Sequence, residues 1–467
     1  MNELISDIAT GVWTPILFLL ILGGVFFFIY SRFIHYKYFF HSIAILKGKF
    51  HNPNDPGQIS PYEALSTALA STVGMGNIAG VAAAISIGGP GALFWMWVTA
   101  FVGMSTNFFT STLSVMYRGK DSNGIIQGGP MYVIREALGK PFYPLAVLFC
   151  LCAMIGCLPI FQANQLTQAI VDIGIDSPEM KSASFSLAGI EVNIAKFIIG
   201  IVLTIISGIV IIGGIQRIGV WAGKMVPLMI VIYFFSVLAI LLINFDKVPH
   251  YFALIITDAF AATNYHGSPA LGGMLGGLIV TGVRRASFSN EAGIGTAPMA
   301  LGASQSSEPI REGLVSMLSP AIDTLLVCSL TALAILVTGV WDVEGTRGLG
   351  VTLTANAFNA AMPGIGKYLL LLCAFFFAIT SLFSYSYYGN KALSFLVGVK
   401  AARYYDYFYL GTIIFGAIVS MNLVINIIDI AYALMAIPTM VSGFILAPRV
   451  LVEARSYFKR MKAEGNL

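Results

Sequence analysis

The sequence predicts an all-α polytopic membrane protein of about eleven transmembrane helices, and three observations carry that prediction. Of the 467 residues, 57% are hydrophobic and only 10% charged, against roughly 45–50% apolar and 25% charged in a soluble domain. The apolar residues fall into long runs, each near the roughly 20 residues a helix needs to cross about 30 Å of hydrocarbon. Two of these runs carry a Gly-rich break beside an asparagine at matching places in the order of spans, as in the inverted repeats of secondary transporters.

In order, the spans are 12–33, 63–87, 92–117, 143–170, 194–214, 226–243, 271–304, 314–340, 368–396, 408–427 and 430–452. The first follows Asp7 rather than a basic n-region, and no small-residue cleavage site comes after it; it reads as a retained helix, not a signal peptide. Stretches at 129–138, 251–261 and 351–361 read as surface helices lying on the bundle or in the interface. The chain then divides into an extra N-terminal helix with the segment after it (1–61), a first five-helix repeat (62–245), an outer connection (246–270), a second, inverted repeat (271–452) and a tail (453–467).

An odd number of spans puts the termini on opposite sides. With the N-terminus outside, eighteen Lys and Arg residues gather on the cytoplasmic side and five, Lys181, Lys196, Lys247, Arg347 and Lys367, on the other, while Arg284, Arg285 and Lys391 fall inside spans. The bias of basic residues toward cytoplasmic loops predicts N-terminus out and C-terminus in, for a multi-pass protein of a cell (plasma or inner) membrane. The basic residues are scattered rather than gathered into a stripe, so lipid and not nucleic acid is the expected partner. Cys150, Cys152, Cys157, Cys328 and Cys373 lie in apolar runs without His at metal-ligand spacing, and read as small core residues. The His residues stand in loops or at span edges; no enzyme chemistry and no cofactor are expected.

The second span reads Ser71-Thr72-Val73-Gly74-Met75-Gly76-Asn77-Ile78-Ala79-Gly80, and the seventh Ser289-Asn290-Glu291-Ala292-Gly293-Ile294-Gly295-Thr296-Ala297-Pro298. Five spans apart, they enter the membrane from opposite sides. Backbone groups freed at a break cost several kcal/mol each in hydrocarbon unless something satisfies them. A zwitterionic amino acid and a small cation do so: the N-terminus of a half-helix suits a carboxylate, and freed carbonyls suit an ammonium or Na⁺. The carboxylate is placed at the N–H groups of Met75 and Gly76, where glycine permits close approach. The competing reading, that Gly74, Gly76 and Gly80 form a small-residue packing face, loses ground because a second break stands in register.

Further candidates lie inside the spans. Glu291 is an intramembrane acid, and such residues default to functional candidates; a structural buried contact or a cap on freed N–H groups is ranked above direct substrate contact, and Arg284 and Arg285 are roughly two turns away along a continuous helix. Asp323 is a second intramembrane acid, with a hydrogen bond to a neighbouring span as its bland reading. Phe377, Thr380 and Ser381 share one helical face, where a carbonyl and two hydroxyls offer three oxygens to Na⁺, although hydroxyls in apolar helices usually bond their own backbone. Gln162, Gln165 and Gln168 lie near the outer end of the fourth span, as a pocket wall, a gate or a water-facing helix end.

The stretches Thr72-Val73-Gly74-Met75-Gly76-Asn77-Ile78-Ala79-Gly80-Val81, Gly88-Gly89-Pro90-Gly91-Ala92-Leu93-Phe94-Trp95-Met96-Trp97, Gly128-Gly129-Pro130-Met131-Tyr132 and Phe288-Ser289-Asn290-Glu291-Ala292-Gly293-Ile294-Gly295 together resemble the alanine or glycine:cation symporter family, and the resemblance extends over nearly the whole chain. It implies a LeuT-like fold of the amino acid-polyamine-cation superfamily, with broken first and sixth core helices, and Na⁺-coupled uptake of small neutral amino acids, chiefly alanine and glycine. It further implies a Na⁺ site from the carbonyls of Ala70, Val73 and Phe377 with Thr380 and Ser381. The amino acid would be lined by Thr72, Met75, Gly76, Asn77, Gln162, Gln165, Phe288, Ser289 and Asn290, with Gly74, Glu291, Gly293, Gly295 and Asp323 as structural or gating positions. Met75 stands where a smaller residue such as Thr is expected in many relatives, which bears on the substrate.

The sequence thus predicts a symporter working by alternating access, with Na⁺ and a small amino acid as its ligands. Two alternatives stand beside it in the same class: proton coupling through Lys224 or Glu291, and a different amino acid such as serine or glutamine. A channel or membrane-embedded enzyme is the alternative from another class.

Overall fold

The computed structural model describes residues 2–175, 177–187, 190–261, 274–343, 350–419 and 421–466. Among them, eight helices are long and apolar enough to cross a membrane: Gly11–Tyr30, Ala92–Met116, Lys140–Gly174, Ile194–Ile211, Gly214–Ile243, Pro309–Val337, Gly366–Val397 and Asn426–Ala463. Pro61–Thr72 and Gly76–Gly88, bent by 47° at the break between them, make a ninth when taken as one span. These correspond to nine of the eleven expected spans. The other two are helical but shorter or more charged. Val399–Ile418 carries Lys400, Arg403 and Asp406 in its first turns. Met274–Asn290, followed by Thr296–Leu301, carries Arg284 and Arg285, and the expected start of that span at 271 lies outside the described residues, as does Arg347.

The three surface stretches are helical, as Pro130–Val133 running into a π-turn at Ile134–Leu138, Val248–Asp258 and Val351–Ala361. Two small antiparallel hairpins qualify the all-α expectation: Gly119–Lys120 with Ile126–Gln127, and Ser184–Leu187 with Ile190–Asn193. The first is turned by Asp121, whose Oδ1 accepts the N–H groups of Asn123 and Ile125 at 2.9 and 3.0 Å, a local side-chain bond that outcompetes helix.

Local chemistry starts the first broken helix. Ser60 accepts the N–H of Glu63, the Glu63 carboxylate takes the N–H of Ser60 at 2.9 Å, and Pro61 occupies the first helical position, a complete capping box. That end is stitched to the end of the second broken helix. Gln58 and Ile59 donate their N–H groups to the Ala303 carbonyl at 2.8 and 3.3 Å, and Gln305 donates to the Ile59 carbonyl at 2.7 Å. Arg118, just past Ala92–Met116, donates to the carbonyls of Pro56, Gly302 and Ser306 at 3.0, 3.0 and 2.8 Å, and to that of Ser304. Lys391 on Gly366–Val397 adds a bond to the Met299 carbonyl at 2.9 Å. Arg118 and Lys391 therefore hold the C-terminal end of Thr296–Leu301 by donating to its free carbonyls.

Elsewhere along the second broken helix, Arg284 forms an ion pair with Asp429 and faces the Trp13 ring, 5.9 Å from its centroid. Arg284 is thus committed to another helix rather than to Glu291. Lys196 donates to Gln168, Gln168 to Asp172 at 2.8 Å, and Thr352 to Asp172 at 3.0 Å, joining three helices by one polar chain.

Candidate functional site

The first break is visible in its hydrogen bonds. In a continuous helix the N–H of Gly74 would bond the Ala70 carbonyl; here it bonds the Asn77 Oδ1 and the Thr72 carbonyl, both at 2.9 Å. The N–H of Met75, the helical partner of the Ser71 carbonyl, goes to Gln162 Oε1 at 2.9 Å. The N–H of Asn77, the helical partner of the Val73 carbonyl, goes to Gly74 at 3.1 Å. Ala70, Ser71 and Val73 thereby lose their regular partners, and all three residues are buried. Carbonyls in that position are what a desolvated cation requires.

The second break is made differently. Glu291, Gly293 and Gly295 have φ of 54°, 83° and 108°. A Cβ at Gly293 would stand 2.6 Å from Leu20, and one at Gly295 2.5 Å from Thr439 Oγ1; space and backbone both demand glycine there. Glu291 meets the left-handed backbone with a side chain, which costs roughly 1–2 kcal/mol.

Asparagines do the same work at both breaks. Asn77 Oδ1 accepts Gly74 N–H and its Nδ2 donates to Asp323 Oδ1 at 2.7 Å; Asn290 Oδ1 accepts Ala292 N–H at 3.0 Å and its Nδ2 donates to Thr324 at 3.1 Å. Asp323 also receives the hydroxyls of Ser289 and Thr324 on Oδ2, each at 2.8 Å. One carboxylate, on the π-helical stretch Ala321–Cys328, joins both broken helices. The polar atoms of Asn77, Ser289 and Asn290 are engaged in this scaffold, in addition to the substrate-lining place the resemblance gives them.

Of the residues expected around an ion, Ser381 and Thr380 stand on Gly366–Val397, which packs on Pro61–Thr72. Ser381 Oγ would lie 2.4 Å from a Cβ at Gly74, so glycine lets the two helices meet at the break. Both hydroxyls bond their own helix: Ser381 to the Phe377 carbonyl at 2.9 Å, Thr380 to those of Phe376 and Phe377 at 2.9 and 3.1 Å. A hydroxyl that donates keeps lone pairs for a cation.

Around the break stand aromatic walls. Phe288 lies 3.7 Å from where a Cβ at Gly76 would be, and its ring meets Phe161 and Tyr432 edge to face at 5.2 and 5.6 Å. Thr72, Met75 and Gln162 are buried. Gln165 turns away from the Met75 bond, its Oε1 3.0 Å from a Cβ position at Gly350, against Val351–Ala361. Gln168 belongs to the Asp172 chain. Lys224 is exposed, which removes it from this site. Sequence reasoning missed the hydroxyls around Glu291, from Ser71, Thr296, Tyr385 and Tyr432; the only signal was the spacing of Tyr385 and Tyr388 one and two turns beyond Ser381.

A profile of the sodium:alanine symporter family matches residues 1–466. The chain is 36% identical to the sodium/alanine symporter AgcS of Methanococcus maripaludis, over 99% of this chain and 98% of that one. It is 30% identical, over 97% and 90%, to a Bacillus subtilis protein whose name reads "Probable sodium/glutamine symporter GlnT". Among solved structures, MhsT in complex with L-phenylalanine superposes with a TM-score of 0.56 at 12% identity, covering 84% of this chain and 89% of that one. That superposition gives the fold, which is LeuT-like. With a matched profile from end to end and full-length relatives, this chain belongs to the sodium:alanine symporter family.

Proposed function

We propose that the protein couples inward movement of Na⁺ to uptake of a small neutral amino acid, alanine or glycine, by alternating access in a cell membrane, with its N-terminus outside and its C-terminus in the cytoplasm. The observation that carries the reading is the loss of helical partners by the Ala70 and Val73 carbonyls beside the Thr380–Ser381 face. Ala70, Val73 and Phe377 carbonyls with the Thr380 and Ser381 hydroxyls then hold Na⁺. The amino acid lies against Thr72, Met75, Gly76 and Phe288, near Gln162. Its carboxylate takes the N–H of Met75 by displacing the Gln162 carboxamide, which presently accepts that bond. Na⁺ and amino acid together favour one state of the bundle by their differential affinity for it, and the end held by Arg118 and Lys391 is the cytoplasmic one.

Small substrates suit the buried Met75 side chain and the Phe161, Phe288 and Tyr432 rings. Because one relative is named for alanine and another for glutamine, competition decides the substrate. Purified protein in liposomes should take up labelled alanine, with glycine competing at a concentration at least about tenfold lower than glutamine, a difference of about 1.4 kcal/mol. Stronger competition by glutamine would overturn the assignment.

A further inference from the structure

Glu291 is fully buried, and its two oxygens are surrounded by hydroxyls. Oε1 accepts from Tyr385 at 2.7 Å and Tyr432 at 3.1 Å, and Oε2 from Thr296; the Ser71 hydroxyl stands 3.4 Å from Oε2 and shares its one proton with the Ala68 carbonyl at 2.8 Å. Ser71 is further joined to the Tyr388 hydroxyl at 3.3 Å. Donors come from four segments: the first broken helix, the restart of the second, Gly366–Val397 and the C-terminal helix. Among the described residues, Glu291 makes no ion pair. Three hydroxyl donors, with Ser71 shared as a fourth, suit an ionised carboxylate, but a buried anion without a cation remains costly.

Its neighbours relate it to the proposed Na⁺ site. Ser71 follows Ala70, and its own carbonyl is among those freed at the break. Tyr385 stands one helical turn, about 6 Å, beyond Ser381 on the same helix. The carboxylate therefore bonds one side chain next to each wall of the proposed Na⁺ site, Ser71 beside Ala70 and Tyr385 a turn from Ser381. The other buried acid, Asp323, takes its donors from Asn77, Ser289 and Thr324 instead, beyond the break on the side of the restarted helix.

We propose that Glu291 is the counter-charge of the coupling Na⁺: it does not ligate the ion but stabilises it through the intervening hydroxyl layer of Ser71 and Tyr385. This inference rests on the Na⁺ site proposed above. The five expected ligands are all neutral, so without Glu291 the site carries no negative charge of its own. Two unit charges about 7 Å apart at an effective dielectric constant of about 20 change an affinity by a factor on the order of ten or more. The left-handed backbone at Glu291 fits this role, since it turns the side chain out of the second broken helix and toward the first.

The test varies Na⁺ at saturating alanine, and alanine at saturating Na⁺, in liposomes carrying the native chain, Glu291→Gln, Glu291→Asp or Thr380→Ala. Glu291→Gln keeps the size and one accepting oxygen but removes the charge; it should raise half-saturating Na⁺ at least about tenfold while the alanine dependence at saturating Na⁺ moves less than about threefold. Thr380→Ala should also raise the Na⁺ requirement. If Thr380→Ala shifts it and Glu291→Gln does not, the counter-charge is overturned and the ion site stands. If Thr380→Ala leaves the Na⁺ response unchanged, the ion site and the counter-charge fall together. A purely structural Glu291 would lower the amount of folded protein without moving half-saturating Na⁺. Should Glu291→Gln not fold, Glu291→Asp, which draws the charge back by one methylene, should raise half-saturating Na⁺ about threefold; an unchanged value overturns the proposal.

Discussion

The Asn77 carboxamide donates to the Asp323 carboxylate across 2.7 Å while its oxygen receives the Gly74 N–H at 2.9 Å. One side chain thus caps the first break and ties it to the helix that also receives Ser289 of the second. Asn77→Ala leaves the Gly74 N–H only the Thr72 carbonyl as acceptor and removes one donor from a buried carboxylate, the latter a cost of about 1–3 kcal/mol. Thermal unfolding of the purified protein in detergent should fall for Asn77→Ala and fall further for Asn77→Asp, which sets a second acid against Asp323. A melting point for Asn77→Asp at or above that of Asn77→Ala would contradict the arrangement.

The glycines of the first broken helix are not equivalent. A Cβ at Gly74 meets Ser381 Oγ at 2.4 Å and Gln162 at 3.1 Å, one at Gly76 meets the Phe288 ring at 3.7 Å, and one at Gly80 meets nothing within 4 Å. Gly74→Ala should abolish uptake, and adding Ser381→Ala should restore part of the folded yield. Gly80→Ala should transport within about twofold of the native chain, since relief of glycine's backbone entropy in a helix is at most about 1 kcal/mol. Equal loss in Gly74→Ala and Gly80→Ala would mean that the helix is not opened at Gly74.

Arg118 reaches four carbonyls around the ends of the two broken helices. Hydrogen bonds from a charged group are worth about 1.5–3 kcal/mol each, so Arg118→Ala should loosen that end. The native cysteines are all buried, and Ser306 is 4% exposed. A cysteine at Ser306 should react with a hydrophilic maleimide at least about tenfold faster when Arg118 is Ala. Equal rates would remove Arg118 as a latch.

His35, past the end of the first helix, is 2% exposed and pairs through Nδ1 with Ser105 at 3.0 Å; burial lowers its pKa to about 4. The unfolded chain takes up a proton near pH 6.5 and the folded one only near 4, so stability rises with pH across that window and is lost as pH falls through it. Between pH 6.5 and 4 the native chain should lose about 1–3 kcal/mol through this group. His35→Gln should flatten that part of the pH profile, and an unchanged slope would assign the loss to other groups.

Much of the site was legible because its residues break rules that lipid enforces. Glycines beside an asparagine in an apolar run, acids such as Glu291 and Asp323 at mid-span, and paired hydroxyls at Thr380 and Ser381 each demand an explanation in hydrocarbon. What stayed hidden were partners brought together by the fold from far apart in sequence. Nothing in the pattern around Gln162 says that its carboxamide meets Met75, or that Tyr432 and Ser71 share a carboxylate with Tyr385. Arg118 read only as one more basic residue of a loop, since donating to carbonyls requires no acidic partner nearby. Met274–Asn290 carries Arg284 and Arg285, and Val399–Ile418 begins and ends nine residues before the expected span 408–427 and so takes in Lys400, Arg403 and Asp406; hydropathy marks the edges of such charged helices poorly.

Uptake of labelled alanine into liposomes containing the purified protein, with Na⁺ outside and K⁺ inside, measures whether Na⁺ drives amino acid uptake. Accumulation should disappear when K⁺ replaces Na⁺ outside and survive a protonophore. Accumulation that persists without Na⁺ and collapses with the protonophore would instead make the proton the coupling ion.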